Sequence, residues 1–442
     1  MTKIRQDIEE NKQSYEENYG KLPENIQKKL EWFQDQKLGI IFHWGLYSIP
    51  GIVESWQLSK EDEWARKKPW RDNLTDLRSD YWNLNKEFNP TLFDPDEWAE
   101  LCHDAGFKYM LFTTKHHDGF NMYDTKETDY KVTAEDCPYS KNPKADILDE
   151  LTKAFRKEGI HTGAYYSKPD WHSPYYWRPG DDPKGRYASY DPKEEPEVWA
   201  EFEKFVTNQL VEISSQYGDI DILWLDGGWV GTENNEFLDM KEIARKIRKY
   251  QEDLLIVDRT IGGEFENYVT PERKIPEVAP KKVWESNIPL AKNWGYVPND
   301  IYKPFSEVIS SVVKIVAMGG NVILGVGPKP DGTLPEKALS IMAQLGEWLD
   351  TYGEGIFGTR SNDVWNVENW YFTKKEQFIY GFYENNKEEK TVHLDISDLE
   401  LDKEIVKVTD MKSKQELSVS EGNITLNLSD EIVSGIKIKL QS

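Results

Sequence analysis

Five apolar runs recur along the first two-thirds of the chain: LGIIFHWG from Leu38, KYMLFTTK from Lys108, HTGAYYS from His161, DIDILWLD from Asp219 and LLIVDR from Leu254. Each ends in polar or aromatic residues, and stretches of helical period lie between them, such as the one carrying Leu148, Leu151 and Phe155. Apolar runs alternating with helices are the pattern of parallel strands joined by crossover helices. Closed into a barrel, such strands bring all their C-terminal ends to one face, where loop residues perform chemistry. The reading extends to a sixth strand at Lys282-Val283-Trp284-Glu285 and a final one within Gly319–Pro328, followed by a helix carrying Leu339, Met342, Leu345 and Leu349. From about residue 356 the period drops to two, with Val392, Leu394 and Ile396, then Ile424, Leu426 and Leu428, then Ile436, Ile438 and Leu440 alternating with polar residues. The expected architecture is an α/β chain with a (β/α)8-like barrel over 1–355 and an antiparallel β-sandwich over 356–442. A length of 442 residues suits two cores better than one.

Charge narrows the function. With 79 acidic against 55 basic residues the net charge is −24, and no basic block could track phosphates, so nucleic acid and anionic membranes are poor partners. Two cysteines, Cys102 and Cys137, imply no disulfide framework. Met1–Glu10 has no apolar core like that of a signal peptide, and no later run approaches a membrane span, so a cytoplasmic location is expected. Residues 1 to about 30 read as one or two surface helices, with Leu22, Ile26 and Leu30 at helical spacing.

The strand ends carry the chemistry. Asp226 closes the fourth run, ahead of Gly227 and Gly228, and Trp224 two residues earlier shares its side of the strand. A carboxylate beside an aromatic wall suits a sugar ring; the alternative is an Asp that caps a helix or closes a turn. His43 ends the first run, and His116 and His117 follow the second. Adjacent strand residues point to opposite faces, which weakens a metal site built from His116, His117, Asp118 and Asp226 and favours hydrogen bonding to a polyhydroxylated ligand. GGNVILGVGP at Gly319–Pro328 lacks nucleotide-binding spacing, so its glycines read as room for close packing.

FHWGLYSIPG from Phe42, the Glu54-Ser55-Trp56 loop, KYMLFTTKHHDGF, GAYYS from Gly163, WLDGGW from Trp224, WES at Trp284, WGY at Trp294 and GGNVILGVGPKPDG occur in this order. The set resembles the α-L-fucosidases of glycoside hydrolase family 29. The resemblance implies a retaining exo-hydrolase that releases terminal α-L-fucosyl residues from oligosaccharides or glycoconjugates, with no metal or organic cofactor. Asp226 matches the nucleophile and Glu272, in Val269-Thr270-Pro271-Glu272, the acid/base, with Glu285 as its rival. His43, Glu54, Trp56, His116, His117, Trp224, Arg259 and Tyr166, or its neighbour Tyr165, match substrate-binding positions. In many members the acidic residue of the second loop directly precedes its tryptophan, whereas here Ser55 intervenes. A non-catalytic fucose-binding protein on the same fold is the alternative, and variable loops such as Pro174–Pro192 are expected to build the aglycone site.

Overall fold

Strands β1 (Leu38–Phe42), β2 (Tyr109–Lys115), β3 (His161–Ser167), β4 (Ile222–Asp226), β5 (Leu255–Asp258), β6 (Glu285–Pro289) and β7 (Asn321–Val326) form one parallel sheet in the order β5-β4-β3-β2-β1-β7-β6. The computed structural model describes residues 22–385, 389–428 and 430–441. Almost every strand residue is buried, because the inner faces pack on one another and the outer faces on helices. Those helices are α3 (Pro95–Asp104), α4 (Ile147–Lys157), α5 (Pro196–Gln216), α6 (Met240–Ile247), α7 (Phe305–Ala317) and α8 (Glu336–Tyr352), while α2 (Leu74–Tyr81) packs on the turn Glu54–Leu58. Their starts follow local rules: Asp94, Asp146 and Asp239 each accept a first-turn backbone N–H, and Pro95 takes the first position of α3.

The expected barrel takes the form of a curled sheet of seven strands, with no helix crossing from β5 to β6. Residues 265–273 fill the gap. The Asn267 amide donates to Ile256 O of β5 and the Asp258 amide of β5 donates back to Phe265 O, in the antiparallel sense, and on the other side Val269, Pro271 and Arg273 exchange backbone bonds with Val283, Glu285 and Asn287. The sixth strand accordingly begins at Glu285, where the run at Lys282–Glu285 was expected to end.

The amino-terminal helix α1 (Glu24–Gln36) is not a surface helix. Ile26, Leu30 and Phe33 are buried with the barrel interior residues Tyr109, Leu111, Ile222 and Leu255, and Phe33 stacks on Tyr268 at 4.3 Å between ring centres. It therefore plugs the end of the barrel where the strands begin, opposite their C-terminal ends. The expectations for residues 1–21, including Met1–Glu10, lie outside the described residues. Cys102 and Cys137 are both buried and unpaired with each other.

Beyond α8 the strands are antiparallel. One sheet has the order β12-β15-β10-β9-β8, from β12 (Ile405–Asp410), β15 (Val433–Leu440), β10 (Phe378–Glu384), β9 (Trp370–Lys375) and β8 (Arg360–Val367). The other joins β11 (Thr391–Asp395), β14 (Asn423–Asn427) and β13 (Val419–Ser420). Val392, Leu394, Ile424, Leu426, Ile436 and Ile438 meet in the core between them, as the two-residue period requires.

Candidate active site

A cavity of about 400 Å³ opens at the C-terminal ends of the barrel strands. Asp226, the last residue of β4, projects into it. The chain turns sharply just after: Gly227 has φ +92°, and a Cβ there would meet Pro169 at 2.4 Å, while one on Gly228 would overlap the Thr260 hydroxyl. Two glycines are needed because the loops after β3 and β5 cross over this turn.

Three donors converge on the Asp226 carboxylate, and a ring nitrogen stands close by. The Tyr165 hydroxyl donates to Oδ2 at 2.7 Å, Arg259 Nη1 donates to Oδ1 at 3.1 Å, the His117 Nε2 lies 3.9 Å from Oδ2, and the Gly227 amide adds a backbone bond. Burial alone pushes this carboxyl up, but Arg259, His117, Tyr165 and Gly227 together outweigh it and hold the group well below the usual carboxylate range. Asp226 is therefore an anion at any working pH. Its oxygens go to Tyr165, Arg259 and the Gly227 amide, and none of these bonds caps a helix.

Arg259, just beyond β5, bridges two carboxylates. Its Nη2 donates to Glu272 Oε2 at 2.5 Å, and its Nε donates to Thr270 Oγ1 at 3.1 Å. Glu272 stands on the 265–273 segment, and its Oε1 accepts from the Trp294 indole at 3.1 Å. One planar guanidinium thus fixes Asp226 and Glu272 on adjacent nitrogens.

The rival carboxylate is elsewhere. Glu285 opens β6 at the inner end of the barrel, wholly buried, with its Oε2 accepting from the Tyr109 hydroxyl at 2.6 Å, and it does not line the cavity. Burial raises it to about 8, against the opposing pull of Tyr109, the Trp224 indole and Arg259.

The remaining cavity wall is aromatic and imidazole-rich. Tyr165 and Trp224 are paired across β3 and β4 and stack at 5.4 Å, and Arg259 lies 5.0 Å over the Trp224 ring. His43 stacks on Trp294 at 4.9 Å. His116 exchanges a 2.5 Å hydrogen bond with Ser55 through Nδ1, so the residue between Glu54 and Trp56 fixes an imidazole in the wall. Burial lowers His116 to about 4, and burial together with His116 holds His43 well below the usual imidazole range, so both rings are neutral donors and acceptors. His117 is bonded through Nδ1 to Ser167, packs against Trp56 at 4.8 Å and turns Nε2 toward Asp226. Glu54 holds an unusual backbone φ of +35° and accepts the Gly295 amide at 2.7 Å; burial raises it to about 7, opposed by the Gly295 amide and Arg273.

Of the residues singled out from sequence, Asp226, Glu272, His43, Glu54, Trp56, His116, Trp224 and Arg259 line one cavity, with His117 directly behind it. Tyr166 does not. Its hydroxyl donates to Gln209 on α5 at 2.7 Å and accepts from Lys115, on the helix side of the sheet, because adjacent strand residues face opposite ways. Tyr165 takes the place assigned to it. Trp64, Trp229, Arg273, Asn287 and Trp294 also line the cavity and were not singled out as ligands; the WGY motif that contains Trp294 was the available signal. Asp118 is turned away, its oxygens bonded to the Tyr81 hydroxyl and the Phe120 amide, and no group of three or more His, Cys, Asp or Glu that could hold a metal ion occurs among the described residues.

The sequence model of the family described as Alpha-L-fucosidase matches residues 2–354. The alpha-L-fucosidase of Dictyostelium discoideum is 27% identical over 378 residues, which cover 79% of this chain and 77% of that protein. Among solved structures, alpha-L-fucosidase isoenzyme 1 from Paenibacillus thiaminolyticus superposes with a TM-score of 0.78 at 26% identity, covering 95% of this chain and all of that one. The alpha-fucosidase of Thermotoga maritima, in complex with a mechanism-based inhibitor, gives 0.73 at 25% identity, covering 92% and 96%.

Proposed function

The chain belongs to the alpha-L-fucosidase family, and on that premise we propose that it hydrolyses terminal α-L-fucosides with retention, through Asp226 as nucleophile and Glu272 as acid/base. The observation that carries this assignment is the pair of carboxylates held by the one Arg259 guanidinium inside an aromatic-walled cavity. A shared guanidinium suits the spacing of about 5–5.5 Å used in double displacement, and leaves little room for the intervening water of an inverting enzyme.

In the first step Asp226 attacks the anomeric carbon while Glu272 gives its proton to the departing oxygen. In the second, Glu272 takes a proton from water, which attacks the same carbon and frees Asp226. Asp226 is preorganised for attack because Tyr165 and Arg259 fix its two oxygens separately. Once Asp226 is esterified, Arg259 keeps one anionic partner, Glu272, the group that must then accept a proton. The neutral imidazoles of His43 and His116, with Glu54, meet the sugar hydroxyls, and the indole and phenol faces of Trp224 and Tyr165 meet its apolar surface.

The test is hydrolysis of an aryl α-L-fucoside by Asp226→Ala and Glu272→Ala, with azide added. Asp226→Ala should lose turnover and regain it as the inverted β-fucosyl azide; Glu272→Ala should be rescued as the α-azide. Wild-type protein inactive on aryl and natural fucosides alike would leave a sugar-binding protein on this fold.

A further inference from the structure

A glycosidase's leaving group lies on the side of the sugar where its proton donor stands. On the reading above, the aglycone must therefore pass Glu272. A second depression, of about 360 Å³, opens there and shares Arg273 and Lys292 with the catalytic cavity. Its floor is apolar and aromatic, with Tyr302 set among Pro289, Ala291 and Ile301.

Its charge is the reverse of the chain's. On a protein of net charge −24, Arg273, Lys292 and Lys303 line this depression, and Lys337 lies 5.8 Å over the Tyr302 ring. The nearby carboxylates are already engaged. Glu307 is paired with Lys303 at 2.6 Å; Asp300 accepts from the Asn293 amide, the Asn293 side chain and the Ile301 amide; Glu272 is held by Arg259 and Trp294 and lies 3.5 Å from Arg273 Nε, so Lys292 is the cation here with the freest charge. The Lys292 ammonium has no partner among the described residues.

Arg273 is held in place at some conformational expense. Its φ of +57° is one that a long side chain rarely adopts, and it is fixed by its amide to Asn287 O at 2.8 Å and its Nη1 to Lys292 O at 2.7 Å. The result sets the guanidinium 5.2 Å over Trp294, on the rim between the cavity and the depression.

We propose that this depression is the subsite for the sugar that carries the fucose, and that Arg273 and Lys292 make it select an anionic one, bearing a carboxylate or a sulfate ester. The proposal rests on the fucosidase reading. Guanidinium and ammonium groups at a partly desolvated rim strengthen hydrogen bonds to such anions, while Tyr302 offers a face for the ring.

The experiment compares kcat/KM on three fucosides of identical linkage, in which the second sugar is glucose, glucuronic acid or a glucose sulfate. The wild type should favour at least one acidic substrate by roughly five- to tenfold, as one or two partly exposed ion pairs supply. Lys292→Gln should reduce that ratio and Lys292→Glu reverse it. Raising the salt from about 0.05 to about 0.5 M should shrink the wild-type ratio. The ratio is internal to each variant, so partial unfolding does not alter it. The carboxylate and sulfate arms show which anion is meant. Equal rates on all three substrates, or an acidic preference untouched by Lys292→Glu, would overturn the subsite while leaving the fucosidase standing. Inactivity on all three and on an aryl α-L-fucoside would instead overturn the activity.

Discussion

Replacing Glu285 by Gln separates the two candidate acids through stability as well as rate. Glu285 is wholly buried and raised from 4.5 to about 8, so at neutral pH the folded protein keeps a proton that the unfolded chain has released. A raised folded pKa gives stability that is fully present below the unfolded value, near 4.5, and is lost as pH climbs toward the folded value, near 8. Three and a half units at about 1.4 kcal/mol each make a loss of about 5 kcal/mol across that window. Gln does not titrate, so Glu285→Gln should flatten this fall. Unfolding by urea at a series of pH values between 4.5 and 8 should show the stability difference between variant and wild type moving in the variant's favour by about 1.4 kcal/mol per unit. Turnover of an aryl α-L-fucoside should stay within about tenfold of the wild type, whereas Glu272→Gln on a poor leaving group should lose the roughly 10²–10⁴ of general acid catalysis. Parallel stability curves for the two proteins would refute the buried-proton argument. Loss of turnover in Glu285→Gln matching that in Glu272→Gln would return Glu285 to the acid/base role.

The two adjacent tyrosines of β3 make a paired test of strand facing. Tyr165→Phe removes a charge-assisted hydrogen bond to Asp226, about 1.5–3 kcal/mol, and should lower kcat by roughly 10–100-fold with little loss of stability. Tyr166→Phe leaves Gln209 Oε1 without its donor and Lys115 with Asp170 alone, on the helix side, and should lower the urea midpoint by the equivalent of about 1–3 kcal/mol with kcat intact. Phe33→Ala opens a hole beneath Tyr268 in the plugged end of the barrel, and should lose about 3–5 kcal/mol of stability by the same measurement while the activity per folded molecule persists.

Strand positions were legible wherever an apolar run ended on a marked residue. β3 is found at His161–Ser167 as read, and β4 delivers Asp226 and Trp224 to one face because side-chain alternation needs no tertiary information. The choice between Tyr165 and Tyr166 was not open to the same reasoning. It depends on which face of β3 turns inward, and that follows from the register that pairs Tyr165 with Trp224. The amphipathic stripe of Ile26 and Leu30 gave α1 a buried face without saying what covers it, so a barrel plug read as a surface helix. Ser55 is a case where spacing misleads: an extra residue in the Glu54–Trp56 loop looks like a departure, yet its hydroxyl takes a structural place on His116.

The two catalytic candidates differ in legibility for the same reason that they differ in support. Asp226 ends a regular strand whose neighbours on both sides are parallel strands, so its carboxylate is aimed by a rigid ladder and announced by a plain sequence pattern. Glu272 stands on the seam that closes the barrel. That segment pairs one way with β5 and the other way with β6, too irregular to carry a periodic signature, and it passes at once into the strained Arg273. What aims Glu272 is therefore mainly side-chain chemistry, Arg259 on one oxygen and Trp294, with Arg273 close by, on the other. The nucleophile always meets the same anomeric carbon and gains from a fixed backbone. On the roles proposed, the proton donor must follow the oxygen of whichever aglycone is bound, and Glu272 sits where backbone pairing is sparse and the adjoining Arg273 lines the second depression.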